Sequence, residues 1–245
     1  MQLHAMDYGR ALHTCNKADQ WLFNSPMVTR NNDAMETVHR HSTKNRLHSW
    51  LLERAESYMH RKYGSRKKAI FSRLPASVVE IGSGPGANLR YYPPGAALTA
   101  IEPNPAMHAP LRANAARWGI DLTIRGLKGE SLDLASESVD AVVGTLVLCS
   151  VDNPRKVVAE IMRILKPGGR FLFLEHVAAM KGTPLNRFQE WLAKPWLWAF
   201  DGCHLNRDTH LTLGQAGFAT VDMDCFMLSS PAVLIMPHIF GVAVK

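Results

Sequence analysis

Residues 78–88, VVEIGSGPGAN, constrain this chain more than any other segment: an apolar β-branched run ends in an acid and then in three glycines spaced two apart. Ser77, Val78, Val79 and Ile81 read as the end of a buried strand. Gly82, Gly84 and Gly86 remove the Cβ atoms where the chain must turn sharply and where a ligand can touch backbone. The turn is expected to feed a helix beginning near Ala87, whose first amides would point into the same space.

GSGPGA also fits the looser GxGxxG/A dinucleotide fingerprint. Glu80 separates the two readings, because a carboxylate there would meet a cationic amino group and repel a pyrophosphate. A zwitterionic ligand is favoured, and S-adenosylmethionine fits, its ammonium near Glu80 and its carboxylate near the loop amides. Glu80, Gly82, Ser83, Gly84, Gly86 and Asn88 are the cofactor-binding candidates of this segment. A second strand, Leu98 to Ile101, ends at Glu102 and Pro103, and a carboxylate at that place can accept both hydroxyls of a ribose. The plainer account of Glu102 is a surface glutamate opening the turn EPNP. Gly129, Glu130 and Ser131 form a polar turn where an adenine could be held. Leu146 and Leu148, at and beyond the end of the apolar strand Val139 to Leu146, complete the candidate set.

The remaining pattern is a βαβ series. Leu122 to Arg125 reads as a short strand. A helix from Pro154 to Leu165, with Val157 and Ile161 on one face, is turned by KPGG into a strand over Arg170 to Glu175. Phe188 to Phe200 and Arg207 to Ala216 read as helices, and Ala219 to Met227 with His238 to Val244 as a final antiparallel pair. The expected fold is α/β: a Rossmann-like, mostly parallel sheet of seven strands, helices on both faces and an N-terminal helical cap. The cap is placed at residues 1–68 and the core at 69–245, with a helical insertion near 182–217.

EIGSGPG, the acid Glu102, SVDAVV and ILKPGGRFLFLEH together resemble the ordered motifs of class I S-adenosylmethionine-dependent methyltransferases, over roughly Ile70 to Lys245. More narrowly, GANLRYYPPG, TLVLCSVDN, LKPGGRFLFLEHVAA, FDGCHL and PHIFGVAVK resemble the methyltransferase-like family that includes alkyl thiol methyltransferases. The resemblance implies methyl transfer to a small, apolar acceptor, with S-methylation of a thiol as the leading chemistry. O- or N-methylation of a natural product, quinone or lipid head group stays open, as does a catalytically silent cofactor-binding module. Those relatives begin with an apolar membrane anchor, whereas MQLHAMDYGRALHTCNKADQW is broken by charges and histidines. No run of about 18 apolar residues exists, so no integral anchor is expected and the expected compartment is the cytoplasm.

Such chemistry asks little of the protein, because the sulfonium carries an already activated methyl group and positioning supplies most of the rate. A thiol, with a pKa near 8.5, is partly ionised at neutral pH, whereas a hydroxyl needs a base. His176, after the fifth strand, and Asp201 with His204 in the DGCH turn are the catalytic candidates. His176 could instead satisfy a loop carbonyl, and Asp201 could cap a turn. Cys203 reads as a small buried side chain. A metal is not expected, since Cys203 and His204 are adjacent with no second pair and the cysteines lack CxxC spacing.

With 245 residues, 47% of them hydrophobic, the chain can fill one large core. The charge of +7 gathers between Arg40 and Lys68, where it reads as a solvated helix face or as a peripheral contact with acidic lipid head groups. No zinc-finger or RNP spacing supports sequence-specific nucleic-acid binding. Trp21, Phe23, Met27, Met35 and Trp50 are candidate walls of the acceptor pocket, as is the aromatic run FQEWLAKPWLWAF. Oligomeric state is not legible.

Overall fold

The computed structural model describes residues 57, 59–72, 74–199, 202–228 and 237–245. Seven strands form a single sheet in the order β3-β2-β1-β4-β5-β7-β6. They are β1 (Ser77–Ile81), β2 (Ala97–Ile101), β3 (Asp121–Arg125), β4 (Val139–Thr145), β5 (Leu165–His176), β6 (Thr220–Met227) and β7 (Pro237–Val244). The first five run parallel; β7 lies antiparallel between β5 and β6. This is the expected Rossmann-like sheet with its closing hairpin.

Alternation along the inner strands divides the core between two faces. Val79, Ile81 and Ile101 point into a cluster with Phe171 and Phe173. Val78, Leu98 and Ala100 point into the opposite cluster with Leu89 and Leu111. Helix α1, residues 59–71, covers the second face with Ile70 and Phe71. There it is joined by α2 (Pro105–Trp118), which starts at Asn104, whose side chain accepts from the Ala106 amide, and stops at Gly119 in the left-handed region. Helix α3 (Pro154–Ile164) is capped in the same way by Asn153 and buries Val157, Val158, Ile161 and Ile164 on the first face. Helices α4 (Pro184–Ala199) and α5 (Thr209–Gly214) occupy the connection from β5 to β6.

One expectation fails: no α-helix begins at Ala87. A single 3-10 turn over Leu89–Tyr91 follows the glycine loop, and Tyr92 is extended at φ −79°, ψ 148°. Pro93 and Pro94 account for this. A residue before proline is driven out of the helical region, and six residues after Gly86 leave no room for a helix before that point. Residues 1–56, with Trp21, Phe23, Met27, Met35 and Trp50, lie outside the described residues.

Candidate functional site

Register creates the site. Ile81 pairs with Ile101 across β1 and β2, so the glycine loop and Glu102 leave the sheet at the same level, fixed by the bond from Gly82 N to Ile101 O at 2.9 Å. A cavity of about 240 Å³ opens there, at the carboxyl ends of the parallel strands. Gly82 lines it after β1, Glu102 and Pro103 after β2, Gly129 and Glu130 after β3, and Val147 and Ser150 after β4. Drug-sized ligands fill roughly 300–1,000 Å³, so an occupant of that size would extend past this cavity along the strand ends. At Gly82, φ is +66° and an added Cβ would lie 2.3 Å from Val147 Cγ2; at Gly84, φ is +52° and a Cβ would meet nothing within 4 Å.

Glu102 is buried, with Oε2 accepting from Gly84 N at 2.8 Å and Oε1 from Asn104 N at 2.9 Å. A carboxylate accepts about four hydrogen bonds, so it retains capacity for a ligand hydroxyl. Glu130 accepts from the Asn153 amide at 3.1 Å, and Ser131 is exposed. Gly129 is buried, and a Cβ there would lie 3.0 Å from Ile81 Cγ2, so the turn passes close over β1.

Glu80, Asn88 and Ser83 lie behind the glycine loop, all buried. Asn88 Nδ2 donates to Glu80 Oε1 at 2.5 Å and to Thr145 Oγ1 at 2.8 Å, and Tyr92 OH donates to Glu80 Oε2 at 3.2 Å. Lys67 Nζ donates to Asn88 Oδ1 at 2.6 Å. Burial pushes the Glu80 carboxyl up to about 7, against the Asn88 hydrogen bond and the Lys67 charge. Burial also brings Lys67 down to about 8, with Glu80 opposing. Lys67 is therefore not part of a solvated basic face as the charge pattern suggested. Its partner is an inward acid that a run of basic residues does not reveal. Two neighbours on the same helix also reach the sheet: Tyr63 OH bonds His238 Nε2 at 2.8 Å, and Arg66 Cζ stacks 3.8 Å over Phe226.

Beyond β4 the chain bends through Leu146, a non-glycine residue at φ +56°. Leu148 is fully buried, and its amide and that of Val147 donate to Glu175 Oε1 at 3.1 and 3.0 Å. Burial lifts the Glu175 carboxyl to about 7. Arg207 Nη1 fastens the same loop, donating to Leu148 O at 2.6 Å and Val151 O at 2.7 Å. Neither Glu175 nor Arg207 was singled out from sequence; the acid within FLEH, buried at the end of a strand, was the available signal for Glu175.

His176, at the end of β5, places Nε2 3.0 Å from Cys203 Sγ. Cys203 belongs to the DGCH turn, where Gly202 (φ +80°) approaches Ser150 O and His204 N donates to Cys149 O at 2.9 Å. Hydrogen bonding from Cys149, helped by His176, lowers the Cys203 thiol, while the same contact and burial raise Cys149. Burial, then Arg207, lowers the His204 imidazole. Asp201 lies outside the described residues. Of the α4 tryptophans, Trp196 donates to Cys203 Sγ at 3.4 Å, whereas Trp191 and Trp198 are 74% and 89% exposed and line no described cavity.

Residues 79–173 match a family described as a methyltransferase domain. A rat protein, thiol S-methyltransferase TMT1B, is 37% identical over 202 residues, 78% of this chain and 82% of the relative. Human thiol S-methyltransferase TMT1A is 38% identical over 192 residues, 74% of this chain and 79% of the relative. Among solved structures, a SAM-dependent methyltransferase from Thermotoga maritima superposes with TM-score 0.57 at 22% identity, covering 82% of this chain and 96% of that one. A geranyl diphosphate methyltransferase in complex with SAM gives TM-score 0.57 at 15% identity, covering 76% and 86%. No helix among the described residues is long and apolar enough to cross a membrane.

Proposed function

The chain belongs to the methyltransferase family that contains the thiol S-methyltransferases TMT1A and TMT1B, and on that footing we propose that it moves a methyl group from S-adenosylmethionine to a small, apolar thiol. One observation carries the acceptor class. An alignment of 202 residues is too long to lie within 79–173, so the likeness to the rat protein extends past the matched methyltransferase domain, which supports carrying over its acceptor class.

The described residues fit the cofactor. A cradle without side chains at Gly82 and Gly84 opens beside Glu102, whose remaining lone pairs suit a ribose diol. S-adenosylmethionine, when bound, supplies a methyl group already activated on a sulfonium sulfur. Glu102 and Gly82 would then hold the nucleoside portion, and Gly129 and Glu130 would supply the turn for the base. The Glu80 carboxylate, committed to Asn88 and Tyr92, acts through the shape of the loop and through its charge. On the other side of β4, His176 and His204 form the polar end of the acceptor site and orient the thiol; Asp201 is a third candidate by its place in the sequence alone. The thiol's own acidity makes a strong base unnecessary.

Incubation of the protein with methyl-labelled cofactor and a panel of thiols, phenols, amines and phosphatidylethanolamine tests this. Label should pass to alkyl thiols. Transfer to phenols, amines or the lipid with none to thiols refutes the acceptor class. A His204→Ala variant should lose less activity at pH 9 than at pH 7, because the free thiolate accumulates as pH rises; a loss constant across that range points to a less acidic acceptor.

A further inference from the structure

The geometry points to a binding site for a thiophilic divalent cation, Zn²⁺ by its donor set, formed by Cys149, His176 and Cys203. One ligand atom from each residue lies within 4.8 Å of the other two. Zinc–sulfur bonds of about 2.3 Å and zinc–nitrogen bonds of about 2.05 Å at tetrahedral angles require N···S edges of about 3.5 Å and an S···S edge of about 3.8 Å. The cluster therefore needs side-chain shifts, among them the opening of His176 Nε2 and Cys203 Sγ from 3.0 Å. Two thiolates and an imidazole with a fourth position left over is the composition of an open zinc site rather than of a closed structural one.

Three separate segments deliver these ligands, and other contacts already fix each of them. Cys149 sits in the loop that Glu175 and Arg207 pin, and its carbonyl receives the His204 amide. His176 ends β5, in register with His238 of β7. Cys203 follows the left-handed Gly202, and the Trp196 indole donates to its sulfur, as suits a metal-bound thiolate. Cys149 and His176 are 2% and 4% exposed while Cys203 is partly open, which gives an ion an entry from the Cys203 side. Arg207 brings one positive charge to the neighbourhood, where it interacts with Cys149, Cys203 and Glu175. Glu175 Oε2 and His176 Nδ1, beside the cluster, are buried without a hydrogen-bond partner. Arg207 Nη1 serves the Leu148 and Val151 carbonyls.

The reaction is ligation without redox change: two thiols release their protons as the ion enters. The test uses the full-length protein reduced with a phosphine, freed of metal and titrated with Co²⁺. One equivalent should give thiolate-to-cobalt charge-transfer absorption with strong tetrahedral visible bands, which added Zn²⁺ displaces. Cys149→Ser and Cys203→Ser should each leave roughly half the charge-transfer intensity, one of two thiolates remaining, and Cys225→Ser should leave it whole. In case a variant fails to fold, alkylation of the native wild type is followed by peptide mapping, with Zn²⁺ expected to slow modification of Cys203 at least tenfold. Protein that binds S-adenosylhomocysteine normally yet shows no thiolate–cobalt band, or Cys203 alkylation unchanged by Zn²⁺, overturns the site. Neither readout depends on methyl transfer, so failure here leaves the acceptor assignment standing.

Discussion

Replacing Gly82 by Ala separates two costs that the structure assigns to the glycine loop. The first is conformational: a left-handed residue with a side chain costs about 1–2 kcal/mol, and Gly82 sits at φ +66°. The second is steric. The new methyl would lie 2.3 Å from Val147 Cγ2, a distance real contacts do not reach, so the loop after β4 must move, at an overpacking cost of about 1–3 kcal/mol. Gly82→Ala should therefore lose about 2–5 kcal/mol of unfolding free energy. Gly84→Ala should lose only about 1–2 kcal/mol, since its Cβ meets nothing within 4 Å. Val147→Ala deletes the clashing methyl but keeps a Cβ 3.0 Å from the new one, so the double variant should recover part of that cost, about 1–2 kcal/mol relative to additivity. Urea unfolding of wild type, the two single variants at 82 and 147, and the double gives the coupling directly, and S-adenosylhomocysteine affinity in the same four proteins reports whether the loop still cradles a ligand. Additive losses within about 0.5 kcal/mol would refute the claim that Gly82 is fixed by the approach of Val147.

Glu80→Gln tests the buried acid. A carboxyl held near 7 binds a proton in the folded state where the unfolded chain has released it, so its contribution is full below about 4.5 and is lost as pH rises to about 7. The stability of wild type relative to the variant should fall by about 3 kcal/mol across that interval, and a flat difference contradicts it. Glu102→Ala should weaken S-adenosylhomocysteine binding by about 1.5–3 kcal/mol in calorimetry, the range of hydrogen bonds to a charged group; unchanged affinity removes Glu102 from the site. Deleting residues 1–40 should abolish turnover while cofactor binding persists, as expected if the N-terminal segment closes the acceptor site, and normal turnover by the truncated protein rejects that role.

Much of this architecture is written locally. The glycine loop, the strand ending at Glu102, helix α3 and the closing hairpin each carry their own signal in periodicity or turn residues, and each lies where that signal puts it. Helix α2 was missed although Asn104 and Pro105 announce its start. Only Leu111 and Ala115 on it are buried, too few to show a helical period against His108 and Pro110. The meeting of three residues was invisible for another reason. Cys149, His176 and Cys203 stand 27 residues apart in sequence and meet because β4 and β5 are parallel neighbours whose following loops fold over the same strand ends. Lys67 looked like one more surface cation in RKYGSRKK. Its burial depends on Glu80 and Asn88, and a one-dimensional charge pattern holds no record of such partners.

Helix α1 also bears on how members of such a family can be recombined. Within five residues it places Tyr63 on β7, Arg66 on β6 and Lys67 behind the glycine loop. It is thus a keystone shared by both ends of the sheet's sequence, and a chimera joined inside it would pair one parent's lysine with the other's acid. Segments exchanged to alter acceptor preference should be joined upstream of residue 59. Such a graft changes the N-terminal segment while the buried cation and its carboxylate stay matched.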